Sequence, residues 1–100
     1  MDAWIYRGGK AVRDARRQPV RLEYYLHREI RDLNTGTCIY GIRVELYRER
    51  NGHVCCEART TPALSYSGAQ VDALIEKLRR GAVTPTGLLE VVDDEISTWV

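Results

Sequence analysis

The sequence predicts an α+β domain, a three-stranded antiparallel β-meander with two C-terminal helices packed on one face. Three observations carry that expectation. From Val20 to Arg59, apolar and polar residues alternate with a period of two, broken by short Gly-containing segments at Asn34-Thr35-Gly36 and Arg50-Asn51-Gly52. After Ser67 the apolar spacing becomes that of a helix. A second helix-start signal, Thr84-Pro85, follows the stop at Gly81.

Residues 1–19 read as a flexible basic N-terminal arm, and residues 20–100 as the single α+β domain. Gly8-Gly9 is a joint and Gln18-Pro19 blocks helix continuation, while between them only Ala11, Val12 and Ala15 are apolar. Trp4-Ile5-Tyr6 is the part of the arm suited to docking, as an extra edge strand.

In the first predicted strand Val20, Leu22, Tyr24, Leu26 and Ile30 share one face, and Arg21, Glu23, Tyr25, His27 and Glu29 the other. The second strand places Cys38, Tyr40, Ile42, Val44 and Leu46 inward, with Arg43, Glu45, Tyr47 and Glu49 outward. In the third, Val54, Cys56 and Ala58 are expected inward, and Cys55, Glu57 and Arg59 outward. A two-residue Asn-Gly turn would set Leu46 against Glu57, so a three-residue loop with left-handed Gly52 is expected, pairing Leu46 with Cys56. The same grammar at Gly36 pairs Leu26 with Val44, Tyr24 with Leu46, and Arg21 with Glu49. It leaves Glu45 opposite Glu57.

Ser67 is the expected cap of the first helix, with Gln70 completing a capping box and Tyr66 stapling onto Val71. Val71, Leu74, Ile75 and Leu78 form its buried stripe, and Gly81 ends it. The second helix takes Thr84 as cap and Leu88, Leu89, Val92, Ile96 and Trp99 as its stripe. Val91 falls outside that stripe beside the acids Asp94 and Glu95, which marks Val91 and Asp94 as candidate contact residues.

At 100 residues, 44% hydrophobic and 29% charged, the chain has the composition of an ordinary globular domain rather than a disordered one. The net charge of +1 argues against strong non-specific attraction to nucleic acid. Charge is nevertheless uneven, basic towards the N-terminus and acidic towards the C-terminus, which suits association within or between molecules. Cys38, Cys55 and Cys56 form no disulfide framework. The N-terminal residues lack the pattern of a secretory signal, and no apolar run approaches the roughly 20 residues of a membrane helix, so the cytoplasm is expected.

Catalytic and metal chemistry find little support. His53 and Cys55 supply two potential zinc ligands where three or four must converge. His27 lies two strands from Cys55, too far for a nucleophile–base pair. Asp93-Asp94-Glu95 point in different directions around a helix. The expectation is a non-enzyme without cofactor or metal. The outer sheet face offers more: Tyr25 and Tyr47 fall diagonal to each other, with His27, Arg21 and Arg43 nearby, an array that can stack bases or stabilise the sheet. Lys10, Arg13, Arg16 and Arg17 add candidate nucleic-acid contacts on the arm.

Tyr24-Tyr25, then Tyr40-Gly41-Ile42-Arg43-Val44, then Val83-Thr84-Pro85-Thr86-Gly87-Leu88-Leu89-Glu90-Val91-Val92 form an ordered set of motifs. The set resembles a family of small clostridial proteins catalogued as a domain of unknown function, family 6514, which carries a Tyr-Gly-Ile-x-Val strand and a Val-Ser/Thr-Pro-x-x-Leu helix start. The likeness covers about residues 22–99 and departs from the family at Thr86-Gly87, where bulkier residues are expected. It implies a cytosolic bacterial protein and brings no activity or ligand. The functional expectation is therefore an accessory or regulatory protein acting by protein–protein contact, with a second copy of the chain among its candidate partners. The alternative is a nucleic-acid-binding accessory protein using the basic arm and the Tyr25/Tyr47 face.

Overall fold

Alternation of apolar and polar side chains builds four strands rather than three. The computed structural model describes residues 2–99. Strands β1 (Asp2–Arg13), β2 (Pro19–Asp32), β3 (Thr37–Arg50) and β4 (His53–Thr60) form one antiparallel sheet in the order β1-β2-β3-β4. Helices α1 (Gly68–Arg80) and α2 (Leu88–Ile96) follow, the second entered through a 3₁₀ turn at Pro85–Gly87. Among the described residues, no helix is long and apolar enough to cross a membrane.

The segment expected to be an arm is instead a strand, and a bulge explains why its pattern was hidden. Ile5 pairs with Leu26 and Val12 with Val20, so both face the core although one number is odd and the other even. The register shifts between Tyr6 and Gly8, where Gly8 takes a φ of 120°. The extra residue, Arg7, leaves the ladder and turns to α1, where its guanidinium meets Asp72 at 2.8 and 3.0 Å. One inserted residue inverts the alternation, so neither a period of two nor one of 3.6 runs through the segment.

Both hairpin registers differ from expectation. The β2–β3 loop spans four residues, 33–36, with a further bulge between Ile30 and Asp32. Leu22 therefore faces Leu46, Tyr24 faces Val44, Leu26 faces Ile42, and Arg21 faces Tyr47. That shift of two preserves which side chains point inward. The β3–β4 turn is the two-residue Asn51-Gly52, with φ of 52° and 78°, the primed geometry that matches strand twist. Leu46 thus opposes Glu57, and β4 is turned over: Val54, Cys56 and Ala58 lie on the outer face. Nothing buries β4 on either side, since His53 to Arg59 are all exposed, so hydrophobic patterning had no hold on its register and turn geometry decided it. Cys56, expected in the core, is exposed for this reason. Gly36 and Gly52 do have positive φ, 71° and 78°.

On the inner face, Leu22, Tyr24, Leu26, Ile42, Val44 and Leu46 pack against Val71, Leu74, Ile75 and Leu78 of α1. Ser67 caps α1 by accepting from the Gln70 amide at 3.2 Å. The capping box is relayed: Ser65 Oγ takes the Ser67 amide and donates to Gln70 Oε1. Tyr66 stays exposed and makes no staple. Gly81 ends α1 with φ of −84°, and the left-handed residue is the next one, Ala82, at φ 51°. In α2 the buried residues are Leu88 and Val92, and Val91, Ile96 and Trp99 pack against the core. Val91, expected at the surface, is half-buried because it stands three residues after Leu88, the most buried residue of α2, and so flanks the face that Leu88 and Val92 bury.

A hydrogen bond joins the two layers at the centre: the buried Tyr24 hydroxyl donates to the Val83 carbonyl at 2.8 Å. Burial raises this phenol to about 12 against an opposing effect of Arg79. The unfolded tyrosine ionises first, so stability should fall as pH rises from 10 towards 12. Tyr24→Phe should cost about 1–2 kcal/mol at neutral pH and flatten that alkaline slope in urea melts. Ala82→Gly should raise stability by about 0.5–1 kcal/mol, because the left-handed backbone disfavours a Cβ. An unchanged or lower melting temperature would show that the alanine methyl's packing outweighs its strain.

Candidate functional site

The helices cover one face of the sheet and leave the other open. Its middle is set by the β2–β3 register, which places Glu23 directly opposite Glu45. Each carboxylate has its own cation on the same strand. Arg21 Nε donates to Glu23 Oε1, and Arg43 Nε donates to Glu45 Oε2 at 2.9 Å. The Tyr47 hydroxyl donates to the other Glu45 oxygen at 2.7 Å. On the far side of Glu23 stands Gly9, where a Cβ would come within 2.8 Å of a Glu23 carboxylate oxygen. Glycine there makes room for the carboxylate to lie across β1.

Above the carboxylate pair lies an aromatic row. Trp4 pairs with His27 across β1 and β2 and stacks on it, centroids 4.2 Å apart and planes within 16°. Tyr6 meets Tyr25 edge-on at 5.4 Å. The Arg43 guanidinium carbon sits 5.4 Å from the Trp4 ring centroid and its Nη1 donates to Thr60 at 3.2 Å. Trp4, Tyr25, Arg43 and Glu45 line a shallow open hollow of about 420 Å³.

The charges are mutually tuned. Burial alone would raise Glu45, but the Tyr47 and Arg43 hydrogen bonds, the Arg43 charge and the Tyr25 hydroxyl together hold it below its ordinary value of 4.5. The hydrogen bond to Glu45, then burial, pushes the Tyr47 phenol up. Tyr6 is raised chiefly by its hydrogen bond with Glu23, and Tyr25 chiefly by burial. Tyr47 is a neutral donor and Glu45 an ionised acceptor at neutral pH.

Tyr25 and Arg43 are therefore direct neighbours across the strands, whereas Tyr25 and Tyr47 are not diagonal: the Glu23–Glu45 pair separates them. The two-residue shift in register is the cause. Val91 lies on the opposite, helical side of the molecule against the core, with Asp94 exposed beyond it. The arm cations are dispersed. Lys10 donates to the Arg80 carbonyl at 2.8 Å and Arg13 to the Arg17 carbonyl at 2.9 Å, while Arg16 and Arg17 occupy the β1–β2 turn. His53 and Cys55 stay on the exposed β4, and among the described residues no three His, Cys, Asp or Glu side chains converge on a metal position. Trp4, Tyr6 and Gly9 were not expected in the site. The bulge at Arg7 brings both aromatics to the outer face ahead of it and Gly9 to the same face behind it.

Lowering the pH through 4.5 and below should destabilise the fold, because a carboxyl depressed in the folded state loses its contribution as it is protonated. Tyr47→Phe should shift that acid transition to higher pH and cost about 1–2 kcal/mol at neutral pH. Circular dichroism across an acid titration reads both effects.

Residues 5–98 match DUF6514, a family of unknown function, and the chain belongs to that family. The match begins within β1, so the first strand is part of the family's domain and not an appendage to it. No curated protein and no solved structure matches the chain.

Proposed function

For this member of DUF6514 we propose a non-enzymatic accessory or regulatory role in the cytoplasm, exercised by protein–protein contact through the uncovered face of the sheet. The observation that carries the proposal is the side-chain make-up of that face. Trp4 and Tyr6 are 46% and 50% exposed, and Trp4 stands with Tyr25, Arg43 and Glu45 around an open hollow that no other described residue fills. Trp, Tyr and Arg are the residue types that dominate contact energies at protein interfaces. Here they are held in place beforehand, Trp4 by His27 and Arg43, and Arg43 by Glu45 and Thr60, so little side-chain freedom is lost on association. The central carboxylates Glu23 and Glu45 repel a phosphate backbone, which favours a polypeptide over a nucleic acid on this face. A second copy of the chain is one candidate partner, and any partner must place an apolar side chain beside Trp4.

A photo-crosslinking residue at position 6, expressed in the native host, should capture that partner, whereas one at exposed Thr86 should not. Trp4→Ala and Arg43→Ala should each weaken the purified complex tenfold or more, about 1.4 kcal/mol, with Thr86→Ala unchanged. Crosslinks that depend on neither Trp4 nor Arg43 would move the contact off the sheet face.

A further inference from the structure

Two hairpin tips lie side by side at one end of the sheet. The β1–β2 tip is tightly made: Asp14 Oδ1 accepts from the Arg16 and Gln18 amides, both at 2.9 Å, and the Arg17 amide donates to the Asp14 carbonyl at 2.9 Å. Arg17 sits in the left-handed region at φ 62°. The β3–β4 tip is the primed Asn51-Gly52 turn, preceded by Arg48, Glu49 and Arg50. Because Val20 pairs with Arg48 and Pro19 with Arg13, the two tips close on one another. Arg16 and Arg50 line both of two adjoining hollows, of about 320 and 360 Å³.

The corner gathers Arg13, Arg16, Arg17, Arg48 and Arg50 around the carboxylates Asp14 and Glu49, in a chain whose net charge is only +1. Internal neutralisation is slight. Arg48 Nη1 is 3.8 Å from Asp14 Oδ2, and the enclosed Arg48 Nε has no acceptor. Asp14 is already occupied by the backbone: the Gln18 and Arg16 amides, aided by the charges of Arg48 and Arg50, hold its carboxyl low. Among the described residues, no carboxylate forms an ion pair with Arg16, Arg17 or Arg50. Arg16 and Arg17 are carried by a turn whose backbone is internally hydrogen-bonded, and Arg48 and Arg50 by the end of β3 that pairs with β2 and β4, so the backbone under the cluster is organised before any ligand arrives.

We propose that these paired hairpin tips bind phosphate groups of a polyanion, with Arg16 and Arg50 bridging two successive phosphates and Arg48 behind them. Guanidinium forks match phosphate oxygens two at a time, and the two hollows share their arginines as consecutive phosphates along one ligand require. The site differs from a basic arm. Lys10 has no part in it, and Arg48 and Arg50, which lie 31 and 33 positions beyond Arg17 in sequence, are essential to it. It is also independent of the sheet face described above.

The same phosphate chemistry occurs in free polyphosphates and in a nucleic-acid backbone, and the probes separate them. Inorganic tripolyphosphate titrated into the full chain at low salt should bind saturably, with affinity falling as salt rises. Amide NMR shifts should map to residues 14–18 and 48–52. Arg16→Gln, at an exposed turn position, and the double variant Arg16→Gln/Arg50→Gln should weaken binding at least threefold and tenfold, with melting temperatures retained. Trp4→Ala should leave it unchanged. A single-stranded 12-nucleotide DNA that binds tenfold tighter than tripolyphosphate, and loses that gain in the double variant, assigns the site to a nucleic-acid backbone; equal or weaker binding assigns it to small polyphosphates. Absence of saturable tripolyphosphate binding, or binding indifferent to Arg16 and Arg50, overturns the proposal.

Discussion

The register of β2 on β3 is the constraint on which the rest of the molecule depends. Setting Leu22 on Leu46, Tyr24 on Val44 and Leu26 on Ile42 gives α1 a continuous apolar surface. It also forces Glu23 against Glu45 on the opposite face, where like charges at directly opposed positions are destabilising. The surroundings answer that repulsion locally. Arg21 and Arg43 stand on the same strands, Tyr47 donates to Glu45, and Gly9 leaves room for Glu23. The core and the candidate interface are thus two faces of one pairing, and a substitution that moves the first reorganises the second.

A mismatch of lengths explains where function can sit. Strands of 14 residues run about 46 Å, consistent with a molecule 50 Å long, whereas the 13 residues of α1 span about 20 Å. The helices dry only the middle of the sheet. Beyond them the strands carry polar side chains on both faces, and there the hairpin tips and their arginines project into solvent. β4, the edge strand beside β3, is uncovered along its length as well, which is why its orientation follows the turn and not the apolar pattern.

Where burial enforces periodicity, the residues could be read from the sequence. Val20 to Leu26 and Ile42 to Leu46 face inward as alternation requires, the four buried residues of α1 are those of its stripe, and Ser67 is its cap. Where a single residue breaks the period, the reading failed. Arg7 hides β1 by inverting its alternation, and in α2 the buried face centres on Leu88 and Val92, which brings Val91 to its flank. At Asn51-Gly52 two principles competed, and local turn geometry prevailed because β4 had no buried face to oppose it. The hairpin-tip arginines were half legible. Arg16 was visible in a basic stretch, but its neighbours Arg48 and Arg50 come from a strand that only the topology brings near.

The bulge at Arg7 makes the aromatic face a matter of arithmetic in the gene. Residues ahead of it and behind it are in opposite phase in the numbering, yet the one extra residue lets both halves keep their faces on the sheet. Loss of the Arg7 codon would restore a regular ladder with Trp4 and Tyr6 still opposite His27 and Tyr25, and would forfeit only the ion pair to Asp72. Loss of a second codon would find no bulge to absorb it, and would swing Trp4 and Tyr6 under the helices and put Ile5 into water. A homologue one residue shorter in β1 is therefore expected to lack the bulge and to keep its aromatic residues on the outer face.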